Sequence, residues 1–573
     1  METKLWHQHK WTAGVPFDVD YPAIPVHGLL QEAAEHHRSA PFVIFNDHVQ
    51  TFEEVEAMAN RVANFLILRG VQKGDRVALF LPNVPHFPAV FFGVLKTGAI
   101  CVTCNPTYSV PELNYQLKDS GARCLFAMDH PILYKTACEA IRDTSVETVV
   151  ICNVSTFLPL HERLLGRVLG KIPHAERHEP GHVLFDDVLK HASSTPPDVN
   201  INPQRDLALI QYTGGTTGVP KGASVTHANI VANLYAIHAW VRPVDEQGNV
   251  GSLITGGECF MGVLPWYHAF GLVMTLLASV LVASKLVCVP DPRAGTPPFT
   301  EILRLIAHHR ATVLNGVPTL FSAIINHSHA DRFDLRSLKL CGCGAAPLAQ
   351  EVARQFEAKT GAVLYEGYGM TEATAGLICN PTNRRDRKLG TLGLPLPGTD
   401  VVVVDLDTST RELPHGEDGE LAASGAQIMD GYWNRPEENA AVFREINGKR
   451  YLLTGDIGHM DEEGFFVLTD RKKDIVIVGG YKAYPKEIEE VLYTHPKVAL
   501  AAVIGVPDSR MGQTVKAFVK LKEGQIASNH ELIQFCKERL ASYKVPRSIE
   551  FRDNLPVSLV GKVLKRMLQQ ESQ

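Results

Sequence analysis

The most informative stretch of the sequence is Tyr212-Thr-Gly-Gly-Thr-Thr-Gly-Val-Pro-Lys-Gly222, which follows a short apolar run and precedes a helical pattern that begins at His227. Glycines in a turn between a buried strand and a helix let backbone amides approach an anion, and threonine hydroxyls and Lys221 add donors and positive charge. The stretch is not a Walker A loop, because Pro220 precedes the lysine and Gly222 follows it. Taken alone, it fits either a phosphate-binding loop or a plain turn.

Helix and strand patterns alternate around this stretch. Apolar residues recur at helical spacing over 52–69, a short apolar strand follows at 75–81, and the same order returns at 86–103. Further buried strands are predicted at 207–212, 311–315 and 338–341, each leading to a glycine-bearing turn. Repeated strand–helix units predict an α/β fold with mainly parallel sheets and ligands beyond the carboxyl ends of the strands.

The pattern changes in the last third of the chain. After about residue 390 it consists of short β-rich units with frequent turns, which predicts a small barrel-like subdomain over about 390–470. The charged segment Asp470-Arg-Lys-Lys-Asp474 then precedes a new alternation of strands and helices. We therefore predict a large N-terminal domain, 1–470, of parallel-rich αβα sheets and a small mobile α+β C-terminal domain, 471–573.

Composition excludes several classes of protein. The 573 residues are 45 % hydrophobic and 21 % charged, which excludes a disordered or fibrous chain. A net charge of -6 gives no field to hold nucleic acid, so we expect no nucleic acid partner. The 11 cysteines have no disulfide-like spacing, and the pairs Cys101/Cys104 and Cys341/Cys343 fit buried thiols better than a zinc site. With no secretory signal at the N-terminus, a reducing, cytoplasmic location is expected.

Two apolar segments bear on membrane contact. The run 272–284 is too short to span a bilayer and predicts a core helix. Between residues 156 and 172 the apolar residues fall on one face of a basic amphipathic helix: Phe157, Leu158, Leu160, Leu164, Leu165, Val168, Leu169 and Ile172. That face fits either packing on the body of the protein or peripheral contact with a membrane surface.

The glycine-rich stretch is one of five motifs that occur in one order and resemble the adenylate-forming enzymes, the family of acyl-CoA synthetases, aryl-CoA ligases, luciferases and peptide synthetase adenylation domains. The other four are Pro265-Trp-Tyr-His-Ala-Phe-Gly271, Tyr365-Glu-Gly-Tyr-Gly-Met-Thr-Glu-Ala373, Tyr451-Leu-Leu-Thr-Gly-Asp456 with Asp470-Arg471, and Pro556-Val-Ser-Leu-Val-Gly-Lys562. Three stretches most resemble bacterial long-chain fatty acyl-CoA synthetases: Asp470-Arg-Lys-Lys-Asp474, Tyr484-Pro-Lys-Glu-Ile-Glu489 and Tyr543-Lys-Val-Pro546. The resemblance covers about residues 45 to 570.

The resemblance implies an ATP- and Mg²⁺-dependent ligase that joins a medium- to long-chain fatty acid to coenzyme A. A carboxylate attacks the α-phosphate of ATP to give acyl-AMP and pyrophosphate, and the CoA thiol then takes the acyl group and releases AMP. Small residues at Gly342, Gly344, Ala345 and Ala346 favour a linear tunnel for the acid. An acyl-AMP ligase that serves a carrier protein, an aryl-CoA ligase and a membrane-surface fatty-acid-trapping protein are the alternatives, and a homodimer is one open oligomeric state.

The resemblance also assigns residues around ATP. Thr213 and Glu372 are expected to hold Mg²⁺, Asp456 and Arg471 to contact the ribose, and Lys562 to bridge the carboxylate and the α-phosphate. The phosphate-binding residues are expected to be Thr213, Gly214, Gly215, Thr216, Thr217 and Lys221. The adenine is expected to be framed by Gly344, Ala345, Ala346, Glu366, Gly367, Tyr368, Gly369 and Thr371.

The remaining assignments concern catalysis and the second half-reaction. Lys562, Glu372, Thr371 and His268 form the expected catalytic set, although His268 between aromatic residues fits simple packing as well as orienting the carboxylate. By resemblance, Lys473 is a hinge about which the C-terminal domain rotates, and Gly479 and Gly480 then lie beside the pantetheine of CoA. Trp266 and Cys343 depart from the usual family pattern on segments that line the acyl site.

Overall fold

Two large sheets form the body of the molecule. The computed structural model describes residues 4–8, 11, 14–168, 172–213, 219–241, 256–508, 510–557 and 563–572. The strands of the nine-stranded sheet lie in the order Leu394–Pro395, Ile378–Cys379, Val363–Tyr368, Leu340–Cys343, Val313–Gly316, Cys259–Gly262, Lys285–Cys288, Pro41–Phe45 and His48–Thr51. Those of the eight-stranded sheet lie in the order Gly431–Tyr432, Gly222–Thr226, Leu207–Tyr212, Ile100–Thr103, Arg76–Phe80, Cys124–Met128, Thr148–Cys152 and Val183–Leu184.

Both large sheets are mainly parallel; the nine-stranded sheet has antiparallel strands at both edges and the eight-stranded sheet at one edge. From Val363–Tyr368 to Pro41–Phe45 each neighbouring pair in the first sheet is parallel, and the same holds from Leu207–Tyr212 to Val183–Leu184 in the second. The predicted α/β class with parallel-rich sheets is confirmed. Several site residues follow the carboxyl ends of these strands, where open parallel sheets place their ligands.

Two smaller sheets follow along the chain. One is antiparallel and contains Asp400–Val404, Gly419–Ser424, Lys449–Met460, Phe443–Ile446 and Phe466–Arg471. The other contains Tyr481–Ala483, Val476–Val478, Gly512–Leu521, Val498–Asp508 and Ser548–Phe551, of which the last pairs in parallel. The last sheet has a hydrophobic core of its own, built around side chains such as Ile488, Val503 and Leu532. The β-rich region and the α+β C-terminal part expected from the sequence are therefore present.

Helices cover the sheets where apolar residues recur at helical spacing. The longer ones are His27–His36, Phe52–Leu68, His86–Lys96, Val110–Ser120, Pro131–Ala140, Leu160–Val168, Phe185–His191, His227–Trp240, Thr300–His309, Pro318–Ile325, Gln350–Thr360, Pro436–Val442, Pro485–Tyr493, Asn529–Lys537 and Lys565–Glu571. Short α-helical turns lie at Leu5–Gln8, Ala269–Gly271 and Ala278–Leu281. Phe52–Leu68 shows the sequence logic: Thr51 and Glu54 form a capping box, and Val55, Ala59, Val62 and Leu66 form the buried face.

The structure refines two predictions. The apolar run 272–284 is helical but not one α-helix: it is a π-helix over Leu272–Leu277, continues as Ala278–Leu281 and then turns into the strand Lys285–Cys288. A π-helical turn is rare and is found mostly at functional sites. The β-rich units predicted after residue 390 are not all short: Lys449–Met460 is a strand of 12 residues, because it pairs with three neighbouring strands that a local pattern does not reveal.

The cysteines lie in the interior of the protein. All eleven cysteines are free thiols, ten of them buried and Cys138 partly buried, which confirms the interpretation of buried thiols. Among the described residues, no helix has the length and apolarity needed to cross a membrane.

Candidate active site

The ends of the phosphate-loop stretch are held by neighbouring residues. The Thr213 amide donates a hydrogen bond to the Lys221 carbonyl over 2.9 Å, which closes the loop at its base. The Tyr115 hydroxyl donates to the Pro220 carbonyl at 3.0 Å, so the helix Val110–Ser120 supports the returning strand. Four residues predicted to bind phosphate, Gly214, Gly215, Thr216 and Thr217, lie outside the described residues.

One tyrosine connects the loop to the predicted metal ligand. The Lys221 ammonium lies 5.0 Å from the centroid of the Tyr432 ring, within the range of a cation–π contact. The hydroxyl of the same tyrosine donates to Glu372 Oε1 at 2.7 Å. Tyr432 is in place because its short strand pairs with Gly222–Thr226, opposite Ala223. Two residues predicted for different tasks, Lys221 and Glu372, thus share one positioning side chain.

Glu372 is a buried carboxylate that can still offer an oxygen ligand to a metal ion. Its side chain is 9 % exposed, and burial raises its pKa, an effect opposed by the hydrogen bond from Tyr432 and by the charge of Arg471. A divalent cation would stabilise the ionised form of such a group, and carboxylate and hydroxyl oxygens are the ligands that Mg²⁺ takes. The hydroxyl of half-buried Thr213 beside the loop base is a suitable second donor. The residues present therefore fit a magnesium ion.

Asp456 lies at the centre of a second polar group. Its Oδ2 accepts a hydrogen bond from the Tyr368 hydroxyl at 2.7 Å, and its Oδ1 lies 3.2 Å from Arg471 Nε. Asp456 and Arg471 are directly paired across antiparallel strands, which fixes their separation. Because a carboxylate has about four acceptor positions, Asp456 keeps capacity for ribose hydroxyls. Burial and the charge of Arg471 lower the pKa of Lys473, which places this predicted hinge residue near the same group.

The predicted adenine wall is formed by two adjacent parallel strands and the turns that follow them. Gly344 is so closely packed that a Cβ there would lie 3.1 Å from the Phe270 ring and 3.2 Å from the Gly367 carbonyl oxygen. A Cβ on Gly369 would lie 1.6 Å from the Ala375 carbonyl oxygen, so only glycine fits. Ala345 is exposed and has a φ of 68°. Ala346 is half-buried in the same turn.

Glu366 is the titratable group of this wall. Its Oε1 accepts a hydrogen bond from the Leu348 amide at 2.9 Å. Burial raises its pKa to about 7, against the lowering effects of that hydrogen bond and of the charges of Lys486 and Arg387. The carboxyl therefore changes charge near neutral pH.

The motif that contains His268 directly precedes the π-helix in the chain. Burial lowers the pKa of His268 to about 4, so its imidazole is neutral at physiological pH and can donate a hydrogen bond but not positive charge. Its ring centroid lies 4.9 Å from that of Tyr267. Trp266 is fully buried against Phe87, with ring centroids 5.7 Å apart. Thr371 begins the short 3₁₀-helix Thr371–Ala373 that carries Glu372.

A narrow apolar cavity lies between the helix His227–Trp240, the π-helix and the nine-stranded sheet. Its lining comprises Leu234, Ile237, His238, Val241, Phe260, Met274, Ala278, Leu281, Val313, Asn315, Leu340 and Tyr365. Its volume is about 30 Å³, enough for about two water molecules. Neither Trp266 nor Cys343 belongs to this lining.

The C-terminal part contributes a half-buried ion pair close in sequence to the predicted catalytic segment. Lys562 lies outside the described residues, but the helix Lys565–Glu571 begins three positions later. Lys565 Nζ lies 2.8 Å from Glu489 Oε1, and burial raises the pKa of Glu489. Gly479 and Gly480 form the turn between Val476–Val478 and Tyr481–Ala483, and the Gly479 amide donates to the Met511 carbonyl at 2.9 Å.

Sequence reasoning missed two kinds of residue. Tyr432 was not singled out, since its role depends on strand pairing between residues more than 200 positions apart. Asn315 was expected only as the end of a buried strand, yet it lines the cavity. A signal was present for Asn315: a polar residue interrupts an otherwise apolar strand pattern.

The chain is similar to known proteins over nearly its whole length. Residues 30–433 match the family described as AMP-binding enzyme, and residues 487–562 match the AMP-binding enzyme C-terminal domain. A long-chain-fatty-acid–CoA ligase of Bacillus subtilis is 38 % identical and is covered over 98 % of its length by 98 % of this chain. ATP-bound MatB from Rhodopseudomonas palustris has a TM-score of 0.77 at 27 % identity, covering 96 % of this chain and 99 % of that one. The Mycobacterium tuberculosis fatty acyl CoA synthetase has a TM-score of 0.70 at 26 % identity, covering 96 % of this chain and 98 % of that one. The chain belongs to the family of AMP-binding enzymes.

Proposed function

We propose that this protein is an ATP-dependent fatty acid:CoA ligase for medium- to long-chain acids, which forms acyl-AMP and pyrophosphate and then acyl-CoA and AMP. Family membership and similarity to a relative named as a long-chain-fatty-acid–CoA ligase support this activity. One structural observation carries the proposal. The strands Leu340–Cys343 and Val363–Tyr368 line the apolar cavity with Leu340 and Tyr365 and then continue into the turns expected to frame the nucleotide.

The first half-reaction brings together two anions, the carboxylate and the triphosphate. Mg²⁺, when bound at Glu372 and Thr213, supplies positive charge that offsets this repulsion. Lys221 adds a fixed cation at the phosphate loop, and Tyr432 holds its position relative to Glu372. Lys562 is the cation that bridges the carboxylate and the α-phosphate in the adenylating state. Neutral His268 and Thr371 orient the carboxylate by hydrogen bonding.

The nucleoside is held by side chains that also contact one another, Asp456 with Tyr368 and Arg471. Asp456 accepts the ribose hydroxyls with the acceptor capacity that Tyr368 and Arg471 leave, and those two partners fix the orientation of the carboxylate. The adenine lies against the wall of Gly344 to Ala346 and Glu366 to Gly369, whose glycines bring the backbone close to the ring.

The acyl chain occupies the apolar cavity. As it stands, the cavity of about 30 Å³ is far smaller than a long acyl chain requires. Met274 and the π-helix around it are the parts of the wall suited to move, because methionine is unbranched and adapts its shape readily. Chain-length preference is therefore set by how far this wall opens.

CoA enters in the second half-reaction, after the C-terminal domain rotates about Lys473. The ion pair of Lys565 with Glu489 joins the helix Lys565–Glu571 to the helix Pro485–Tyr493, so the end of the chain rotates with the C-terminal domain. Gly479 and Gly480 then lie beside the pantetheine, where a side chain would obstruct the thiol.

The amphipathic segment allows peripheral contact with a membrane, and we propose this as a second property of a cytoplasmic enzyme. Phe157 and Ile172 are buried, at 4 % and 6 % exposure, whereas Leu164 and Leu165 are 58 % and 59 % exposed. One part of the apolar face thus packs on the body and another faces outward. Co-sedimentation with vesicles of phosphatidylcholine and phosphatidylglycerol should fall several-fold in the Leu164→Glu/Leu165→Glu variant; equal binding by both proteins contradicts the contact.

The decisive experiment is an acid-specificity profile. Initial rates of AMP, pyrophosphate and acyl-CoA formation are measured with ATP, Mg²⁺, CoA and saturated acids from six to eighteen carbons, with benzoate as the aryl comparison. Acyl-CoA formation that is highest with a medium- or long-chain acid is the expected result. Acyl-AMP without acyl-CoA would favour transfer to a carrier protein instead, and a preference for benzoate would favour an aryl-CoA ligase.

A further inference from the structure

Two polar side chains converge on one point of the otherwise mostly apolar cavity wall. Asn315, Gly342 and Tyr365 are register partners on three neighbouring parallel strands. A Cβ on Gly342 would lie 2.5 Å from Asn315 Oδ1 and 2.9 Å from the Tyr365 hydroxyl oxygen. Asn315 and Tyr365 are each only 2 % exposed, and both line the cavity. The absence of a side chain at Gly342 is what allows these two polar atoms to approach each other.

The orientation of Asn315 is fixed by one end of its amide. Its Nδ2 donates a hydrogen bond to the Met274 carbonyl in the π-helix at 2.7 Å. Because a carbonyl only accepts, the nitrogen must lie on that side and Oδ1 must face Gly342. Among the described residues, Oδ1 has no hydrogen-bond partner. A buried acceptor without a partner is unfavourable and calls for a donor from outside the chain.

We propose that this polar pair, Asn315 and Tyr365, recognises a hydroxyl group on the acyl chain, so that the enzyme activates hydroxylated fatty acids. The inference rests on the proposed ligase function and adds a substrate class to it. A hydroxyl both donates and accepts: it donates to Asn315 Oδ1 and accepts from the Tyr365 hydroxyl. A charged substituent does not fit, because most of the lining is apolar and burying a charge there is costly.

The strands also indicate which part of the acid carries the hydroxyl. Gly342 lies on the strand Leu340–Cys343, and Gly344 follows the end of that strand two residues later, so the two glycines are no more than about 7 Å apart. Gly344 belongs to the wall expected beside the adenylate. The recognised hydroxyl therefore lies on the carboxyl-proximal half of a long chain and not at its methyl end.

The test measures selectivity within one set of acids. Values of kcat/KM for acyl-CoA formation are determined with hexadecanoic acid and with hexadecanoic acids that carry one hydroxyl at successive carbons. In the wild type, at least one acid with a carboxyl-proximal hydroxyl should have a kcat/KM no lower than that of the parent acid. In Tyr365→Phe, which keeps the ring, the ratio of kcat/KM for that hydroxy acid to kcat/KM for the parent should fall about tenfold. Tyr235→Phe, the same change on the helix His227–Trp240 but outside the cavity lining, should leave the ratio unchanged.

Each outcome bears on one of the two proposals. If the parent acid is activated but Tyr365→Phe and Asn315→Leu both leave the ratio at its wild-type value at every position, hydroxyl recognition is wrong and the ligase function stands. If the wild type activates neither parent nor hydroxy acids, the ligase function itself fails and hydroxyl recognition fails with it. Thermal unfolding of both variants establishes that they are folded, and two variants with different effects on packing keep the result from depending on one of them.

Discussion

The nucleotide side and the acyl side of the site differ in how their polar groups are satisfied. On the proposed nucleotide side, Glu372 is paired with Tyr432, and Asp456 with Tyr368 and Arg471. The acyl cavity is mostly apolar and contains a buried acceptor, Asn315 Oδ1, with no partner among the described residues. A buried charge without a partner is too costly to maintain, whereas a neutral amide oxygen is tolerated. The charged side chains proposed to bind the nucleotide therefore hold one another in place, whereas the proposed acyl cavity relies on its shape and on the neutral pair Asn315 and Tyr365.

The largest effect is expected from Lys562→Ala, which removes the cation proposed to bridge the carboxylate and the α-phosphate in the adenylating state. Loss of one electrostatic contact in the transition state should slow acyl-AMP formation about a thousandfold. Transfer of the acyl group from preformed acyl-AMP to CoA should change much less. Pyrophosphate exchange measures the first step and single-turnover thioester formation the second; equal loss in both would remove Lys562 from its assigned role.

Glu372→Gln tests the proposed metal ligand. The amide keeps the shape and can still accept from Tyr432, but it is a much weaker ligand for Mg²⁺, so adenylation should fall about a hundredfold and need more Mg²⁺ for half-maximal rate. Tyr432→Phe is the matched comparison, because it removes only the hydroxyl and keeps the ring beside Lys221; its effect should be nearer tenfold. Rates are measured across a Mg²⁺ titration, and an unchanged Mg²⁺ dependence in Glu372→Gln contradicts the assignment.

Ala278→Phe tests the acyl side by filling the cavity. A ring placed in about 30 Å³ should block long chains, so kcat/KM for hexadecanoic acid should fall about tenfold while that for octanoic acid changes less than about threefold. Ala278→Ser, a small change at the same position, should leave the length profile in place. Uniform loss at all chain lengths would show that the cavity does not hold the acyl chain.

The smallest effect concerns the pH dependence of stability through Glu366. Its pKa is about 7 in the folded protein, against the ordinary value of 4.5 that applies to the unfolded chain. Between these pH values the folded state therefore binds more protons than the unfolded state. The free energy of unfolding therefore decreases as pH rises from about 4.5 to 7. Glu366→Gln should remove this contribution. The change in unfolding free energy from pH 5 to pH 8 should therefore be more favourable in the variant than in the wild type by roughly 1 to 2 kcal/mol, after allowing for partial exposure. Urea unfolding at the two pH values measures it, and an unchanged difference would contradict the raised pKa.

Prediction from the sequence succeeded where the signal is local. Ile100–Thr103 and Leu207–Tyr212 occur at the predicted bounds, because a short apolar run next to glycine specifies a buried strand by itself. The π-helix at Leu272–Leu277 was missed, since its apolar pattern does not distinguish it from an α-helix. The candidate site shows the same division: the motifs gave Glu372, Asp456 and Lys221, but not the tyrosine that joins two of them.

The amino-acid sequence alone determined the α/β class, the motif order that marks an AMP-binding enzyme and the identity of most proposed site residues, because glycines, charges and apolar periodicity act over a few positions. Only the tertiary structure decided that Tyr432 lies between Lys221 and Glu372, and that Asn315 and Tyr365 meet over Gly342. These contacts depend on the register between strands far apart in the chain, and a register is set by the packing of the whole sheet and not by any one segment.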